Sequence, residues 1–429
     1  MRSELFRIPV ELGGLPFLGL GLLLALWVLG FAATLVWNWK RGAKGEQLWG
    51  YLTPAALGAA AILFAPRFFP EGLPIRGYGV MLLIAISTRL AMAVHRARRH
   101  GVHPDTVLSL AFWLFVLGIA GARLFFVIEY WEVRFAGQTL GATIVDVLRF
   151  TEGGLVVYGS LIGAAVAFVW FTLRHKLPML AMADVLAPSL AAGLALGRLG
   201  CLLNGCCYGG QCELPWAVTF PKDSPPFMDQ LIHGELHGAR VFVLPAPMKD
   251  PRPRLASADQ LADAPIVESI NAQRVQNIND AAAAFSRAYA TASPVTIETT
   301  DGQQTETPAA DRTRSLPVHP TQVYSAINAG LLSWLLWSWF PHRRRDGEVA
   351  LLMLTIYPVS RFLLEIIRTD EQAIFGTGLS ISQNVSVALL AAAAVGWLIL
   401  LRQPAGSKLV ELPPGDFGGQ ARTSPAGAA

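Results

Sequence analysis

Charged residues are scarce in this sequence: Asp, Glu, Lys and Arg make up 15% of 429 positions, against 53% that are apolar. Soluble globular domains carry about 25% charged residues, so the shortage excludes an ordinary water-soluble fold. The period-two alternation of a membrane β-barrel strand is missing, and so is any internal repeat, which excludes a solenoid. Cysteine occurs only at Cys201, Cys206, Cys207 and Cys212, a C-x4-C-C-x4-C pattern without the paired C-x2-C knuckles of a zinc ribbon. Packing or a disulfide fits that spacing best, with a metal-binding or redox role as the alternatives. No small-residue cleavage site follows the first apolar run, which is expected to stay as an anchor.

Long apolar runs are what the chain has in abundance, and its mean hydropathy is +0.44. Crossing roughly 30 Å of hydrocarbon takes about 20 such residues. Nine segments are read as spans: 15–37, 48–64, 73–94, 106–128, 153–173, 182–203, 323–340, 350–367 and 379–401. The second is the shortest and contains Pro54. In lipid each backbone N–H and C=O must find a partner within its own segment, so the fold class expected is an all-α polytopic bundle.

Basic residues cluster after the first, third, fifth and seventh spans: Lys40, Arg41 and Lys44; Arg96, Arg98 and Arg99; Arg174 and Lys176; Arg343, Arg344 and Arg345. Loop Lys and Arg mark the cytoplasmic side. The N-terminus is then outside, the C-terminus inside, and the long loop 208–317 extracytoplasmic. Residues 1–72 read as a two-span extension, 73–402 as the membrane body, and 403–429 as a disordered cytoplasmic tail rich in Pro, Gly, Ser and Ala. The middle of the loop, 249–315, is polar and Ala-rich and reads as a solvated insertion with one helix around 267–290.

Ionisable groups within spans cost about 2.5 to 3.5 kcal/mol each on insertion scales, so those present are candidates for function. They are Arg89, Arg123, Asp184, Arg198, Arg361 and Glu365, with His319 and Tyr324 at the start of the seventh span. Arg198 lies among Gly197, Gly200 and Gly205, where the backbone leaves room for a ligand and a guanidinium grips phosphate through two parallel hydrogen bonds. Small residues such as Gly193 and Gly197 serve helix pairing equally well. Arg361, Glu365 and Arg368 fall at i, i+4 and i+7 on one helical face. They form either a self-neutralising ion pair or, with one cation in surplus, an anion site. His319-Pro320-Thr321-Gln322-Val323-Tyr324 suits a helix start or an interfacial belt as well as a site.

Several separated motifs in one order carry a resemblance. They are Gly153-Gly154-Leu155-Val156-Val157-Tyr158-Gly159-Ser160-Leu161-Ile162-Gly163, Asp184, Gly197-Arg198-Leu199-Gly200 through Asn204-Gly205, the His319 to Tyr324 stretch, and Arg361 with Glu365. Gly77-Tyr78-Gly79 and Gly121-Ala122-Arg123 belong with them. Over about three quarters of its length the chain resembles the prolipoprotein diacylglyceryl transferases. The resemblance implies a seven-span core in the bacterial inner membrane, open to the extracytoplasmic side and the bilayer. It implies phosphatidylglycerol as donor, the lipobox cysteine of a prolipoprotein signal peptide as acceptor, a thioether product and glycerol phosphate as leaving group. Neither metal nor organic cofactor is expected, nor a nucleic-acid partner. By the same resemblance Arg198, Arg361, Glu365, Tyr158 and His319 are the catalytic candidates, and Tyr78, Asn204, Gly205, Gln322, Tyr324 and Asp184 contact substrate.

The chain departs from the family pattern where Tyr158 stands for a common histidine, Cys201 for Asn, Cys206 for Glu and Ser325 for Glu. The phosphate-gripping arginines are retained, and the general base is left among Glu365, His319 and Tyr158. The alternative is a diverged member that binds lipid or lipoprotein without transfer, or a cysteine-dependent redox or metal protein on the same scaffold.

Overall fold

The computed structural model describes residues 4–40, 45–131, 135, 139–149, 154–222, 224–232, 235–236, 241–242, 253–255, 265–291, 293–302, 304–307, 313–368, 373–374, 378–407 and 409. Its helices run in chain order as α1 (Leu22–Lys40), α2 (Gly45–Phe68), α3 (Gly77–Arg99), α4 (Pro104–Glu129), α5 (Leu140–Leu148), α6 (Val157–Arg174), α7 (Met179–Asn204), α8 (Pro225–Ile232), α9 (Ile278–Ala290), α10 (Thr321–Trp339), α11 (Glu348–Ile366) and α12 (Ile381–Leu401). Seven of the described helices, α1, α3, α4, α6, α7, α11 and α12, are long and apolar enough to cross a membrane. The protein is a mostly helical, polytopic membrane protein. Helices α2 and α10 also form where spans were expected but lie outside that set. In α10 the cause is visible: Gln322, Ser325, Asn328, Ser333 and Ser338 dilute its apolar character.

The chain divides into two compact units, the first comprising Met1–Met81, Leu203–Cys206 and Thr219–Leu316. Here α1 packs on α2, with the Trp27 ring against Gly58 and its indole N–H donating to the Ala55 carbonyl at 3.1 Å. Strand Glu4–Ile8 pairs antiparallel with Leu73–Arg76, so the expected third span begins with a strand and its helix starts at Gly77. Arg7 binds Glu4 at 2.9 Å and Glu71 at 2.7 Å, and its hydrogen bond holds the exposed Glu4 carboxyl below the usual value.

The loop region corrects two expectations. It is not helical from residue 267: Val267–Ile270 is a strand, and the helix begins only at Ile278, where the Asn277 side chain accepts from the Asp280 N–H at 3.0 Å. Nor is the chain all-α, because four antiparallel strands assemble in the order Gln304–Thr307, Val295–Thr299, Val267–Ile270, Gln273–Arg274. Val295, Ile297 and Thr299 alternate buried with half-buried neighbours, the period-two pattern that favours β-structure over the Ala-rich helix beside it. Phe227, Leu231, Ile270, Phe285 and Ile297 close a small core, each side chain contributing roughly 1.5 to 3 kcal/mol by burial. The two ends of this region are joined, since the Phe220 N–H donates to Ser315 Oγ (2.9 Å) and the Leu316 N–H to Gln230 Oε1 (2.7 Å).

The second unit comprises Leu82–Leu202, Cys207–Val218 and Pro317–Ala429. Helices α4 and α6 approach closely because Gly121, Gly159 and Gly163 meet across the contact; a Cβ on Gly121 would lie 2.9 Å from the Gly163 Cα. Those glycines of the Gly153 to Gly163 stretch therefore serve packing. Helix α7 is the most buried of the membrane-length helices described, which makes it the central one. Leu110, Phe171, Met182, Leu336 and Phe340 fill the core around it. The first residues of the expected tail are held down, with Arg345 donating to the Gln403 carbonyl (2.8 Å) and Ser407 to Asp346 (2.6 Å). Residues 410–429 of that tail lie outside the described residues.

Candidate active site

One end of the second unit gathers the charges of interest. Arg198, two turns before the end of α7, and Arg361, in the last turns of α11, line the same pocket. Its remaining polar lining is Ser325 and Asn328 from α10, and Tyr357 and Ser360 from α11. The polar residues recur at helical spacing, 325 and 328 on one helix and 357, 360 and 361 on the other, so each helix turns one polar face to the pocket. Asn328 donates to Ser360 Oγ at 2.8 Å, which joins the two faces.

The two arginines differ in their company. Arg361 Nη1 is 2.5 Å from the buried Glu365 carboxylate, whose Oε2 also lies 4.0 Å from Arg368 Nε. Arg361 Nη2 donates to Ser382 Oγ at 2.8 Å, and that hydroxyl lies 3.2 Å from the Tyr158 phenol oxygen. Arg198 has no hydrogen-bond or ion-pair partner among the described residues. Arg198 and Arg361 thus bring two guanidinium groups to one pocket, an arrangement suited to an anion.

His319 and Tyr324 stand beside this pocket's elements rather than in its lining. The His319 backbone pairs with Gly209 and Gly210 at 3.0 Å each, and Gly210 N–H donates to the Ile367 carbonyl at 2.9 Å. A side chain at Gly209 would meet Thr321, His319 and the Ile367 carbonyl at 2.7 to 3.1 Å, so only glycine lets these segments meet. His319 Nδ1 is buried without a hydrogen-bond partner among the described residues, its ring edge-on to Tyr324 at 6.3 Å. Tyr324 accepts from the Trp216 indole at 2.7 Å, and Gln322 is fully buried. The Thr321 hydroxyl donates to the Cys207 carbonyl at 2.7 Å. All four cysteines are half-buried.

Asp184 is not brought to the pocket. Fully buried on α7, it accepts from the backbone N–H groups of Gly347 (2.7 Å) and Ala350 (2.9 Å), and lies 3.7 Å from Arg343 Nε. It thus caps the start of α11 and neutralises its positive end. Fourteen residues separate it from Arg198, about 21 Å along a helix. Arg123 is likewise structural: it donates to the carbonyls of Val147 (2.8 Å), Arg149 (3.4 Å) and Asp146 at the C-terminal end of α5, and to Gly154 (3.0 Å). Arg89 lays its stem against Gly193 and has no acidic partner among the described residues. Tyr78, Asn204 and Gly205 belong to the first unit, where Gly205 takes φ +77° and ends α7 against Phe220 and Pro225. Sequence reasoning missed Asn328, Tyr357, Ser360 and Ser382; the polar spacing on α10 and α11 was the available signal for the first three.

Membrane-length helices around an arginine-lined pocket define an integral-membrane protein. Residues 66–399 match the family model for prolipoprotein diacylglyceryl transferase, and the chain belongs to that family. A phosphatidylglycerol–prolipoprotein diacylglyceryl transferase of Rhodopirellula baltica is 33% identical, over 94% of this chain and 90% of its own length. A second relative, phosphatidylglycerol–prolipoprotein diacylglyceryl transferase 2 of Clostridium perfringens, is 23% identical over 74% of this chain and 88% of its own.

Proposed function

We propose that the protein transfers the diacylglyceryl group of phosphatidylglycerol to the lipobox cysteine of prolipoproteins, the first step of bacterial lipoprotein maturation. The cysteine thiol gives its proton to a base, its sulfur attacks the diacylglycerol carbon that bears the phosphate, a thioether C–S bond forms, and that carbon's C–O bond breaks with its electron pair leaving on the phosphate oxygen of glycerol phosphate. The phosphate changes from a diester with one negative charge to a monoester that gains a second. Cations fixed at that phosphate bind the transition state more tightly than the ground state, which is the condition for catalysis. Arg198 and Arg361 fill this role, and the observation that carries it is that both line one pocket while Arg198 lacks a partner among the described residues.

Glu365, in contact with Arg361 and near Arg368, serves to fix Arg361 rather than to take the thiol proton. The base is then Tyr158 or His319. Gln322 and Tyr324 stand at the acceptor side.

We place the pocket on the extracytoplasmic side of the inner membrane. The opposite end of the second unit carries the basic residues, where Arg96 stacks on Trp337 (3.7 Å) and Phe340 (4.1 Å) and Arg343 on Phe340 (3.8 Å). Basic residues mark the cytoplasmic face. With α2 and α10 crossing as well, the count is nine spans, two ahead of a seven-span core over 73–402, with the folded 208–317 region outside. The test is transfer from labelled phosphatidylglycerol to a lipobox peptide in detergent micelles. A thioether-linked product and released glycerol phosphate are expected; absence of transfer with every donor and acceptor tried would leave only a binding role.

A further inference from the structure

The start of α12 is fixed more firmly than a helix end requires. Ser380 Oγ accepts from the Gln383 N–H at 3.2 Å and Gln383 Oε1 accepts from the Ser380 N–H at 3.0 Å, a reciprocal capping box. Asn384 donates to the Leu379 and Ser380 carbonyls at 3.2 and 3.0 Å. Ser386 donates to the Ser382 carbonyl at 2.7 Å. With capping already done by Ser380, the hydroxyl of Ser382 is not needed to begin the helix.

That hydroxyl instead meets two residues from two other helices. A guanidinium only donates, so Ser382 Oγ accepts from Arg361 Nη2 at 2.8 Å, and the same oxygen lies 3.2 Å from Tyr158 on α6. Arg361 is therefore held at two different nitrogens, Nη1 by Glu365 and Nη2 by Ser382. One contact lets a planar fork swing about it; two fix its plane. Ser382 is buried, so the contact is not loosened by water.

From this we infer that Ser382 is a positioning residue for transfer, holding the Arg361 fork toward the pocket and coupling it to the Tyr158 phenol. The inference rests on the proposed role of Arg361. Loss of one hydrogen bond to a charged group that orients a catalytic cation costs about 10- to 100-fold in rate.

The experiment compares Ser382→Ala and Ser382→Thr with Ser380→Ala, measuring kcat, KM for phosphatidylglycerol and thermal unfolding in detergent. Ser382→Ala is expected to lower kcat by about 10-fold or more with KM and unfolding temperature little changed. Ser382→Thr, which keeps the hydroxyl, is expected to be faster than the alanine variant, whereas Ser380→Ala lowers stability and leaves kcat in place. Wild-type kcat in Ser382→Ala, or a folded threonine variant no faster than alanine, overturns the role. A kcat loss in Ser382→Ala that comes with an equal loss of stability and is shared by Ser380→Ala overturns it too. If the wild type transfers and Ser382→Ala is neutral, this inference falls alone; if the wild type transfers nothing, the functional reading falls with it.

Discussion

Two charged clusters of the second unit, one at each end of α11, show how differently buried ions are used. At the Asp184 end each carboxylate oxygen accepts a backbone N–H and Arg343 stands nearby, so the group is consumed in holding α11 to α7. At the Arg198 end, one guanidinium faces a pocket with no partner among the described residues. A membrane-buried charge that the protein itself satisfies is architecture. A charge beside a pocket that the described residues leave unsatisfied is an invitation to a ligand.

The largest test of that contrast is at the arginines. Arg198→Ala and Arg361→Ala should each lower lipidation of a lipobox peptide by about 100-fold or more while the protein still inserts and unfolds cooperatively. Lysine should recover little, because it keeps the charge without the planar fork. At the opposite end, Asp184→Ala should behave conversely. Removing it orphans two N–H groups and leaves Arg343 with Asp346, 3.9 Å away, as its remaining carboxylate, so a loss of about 3 kcal/mol in stability is expected, read as a lowered unfolding temperature, with specific activity of the folded fraction largely retained.

Two smaller effects sharpen the picture. Tyr158→Phe and His319→Gln separate the candidate bases: the true one should cost about 100-fold in kcat and the other much less, measured as initial rates. Cys206→Ser with Cys207→Ser should leave specific activity within about threefold, since no step assigned to the pocket uses a thiol of the enzyme. A larger loss, or stoichiometric metal by elemental analysis, would reopen the cysteines' role.

Much of this was legible beforehand, for reasons that differ by residue. The membrane helices follow from hydropathy, because lipid imposes one backbone solution. Arg198 and Arg361 stood out because a charge in a span needs a reason. Asp184 stood out on the same ground, and its actual task was hidden because its partners lie 163 and 166 residues further along the chain. Ser382 was invisible for the opposite reason: a serine near a helix start is ordinary, and only its contact with Arg361 distinguishes it. In the loop, Val295, Ile297 and Thr299 did carry the strand period, and the neighbouring Ala-rich stretch obscured it.

The central claim is that Arg198 and Arg361 hold one phosphate. A binding cycle tests it most directly: phosphatidylglycerol affinity in detergent for the wild type, Arg198→Ala, Arg361→Ala and the double variant. If both grip the same group, each single change should weaken binding and the double should lose less than the sum of the two, with a coupling of about 0.5 to 3 kcal/mol. Independent, fully additive losses, or an unchanged affinity in either single variant, would contradict it.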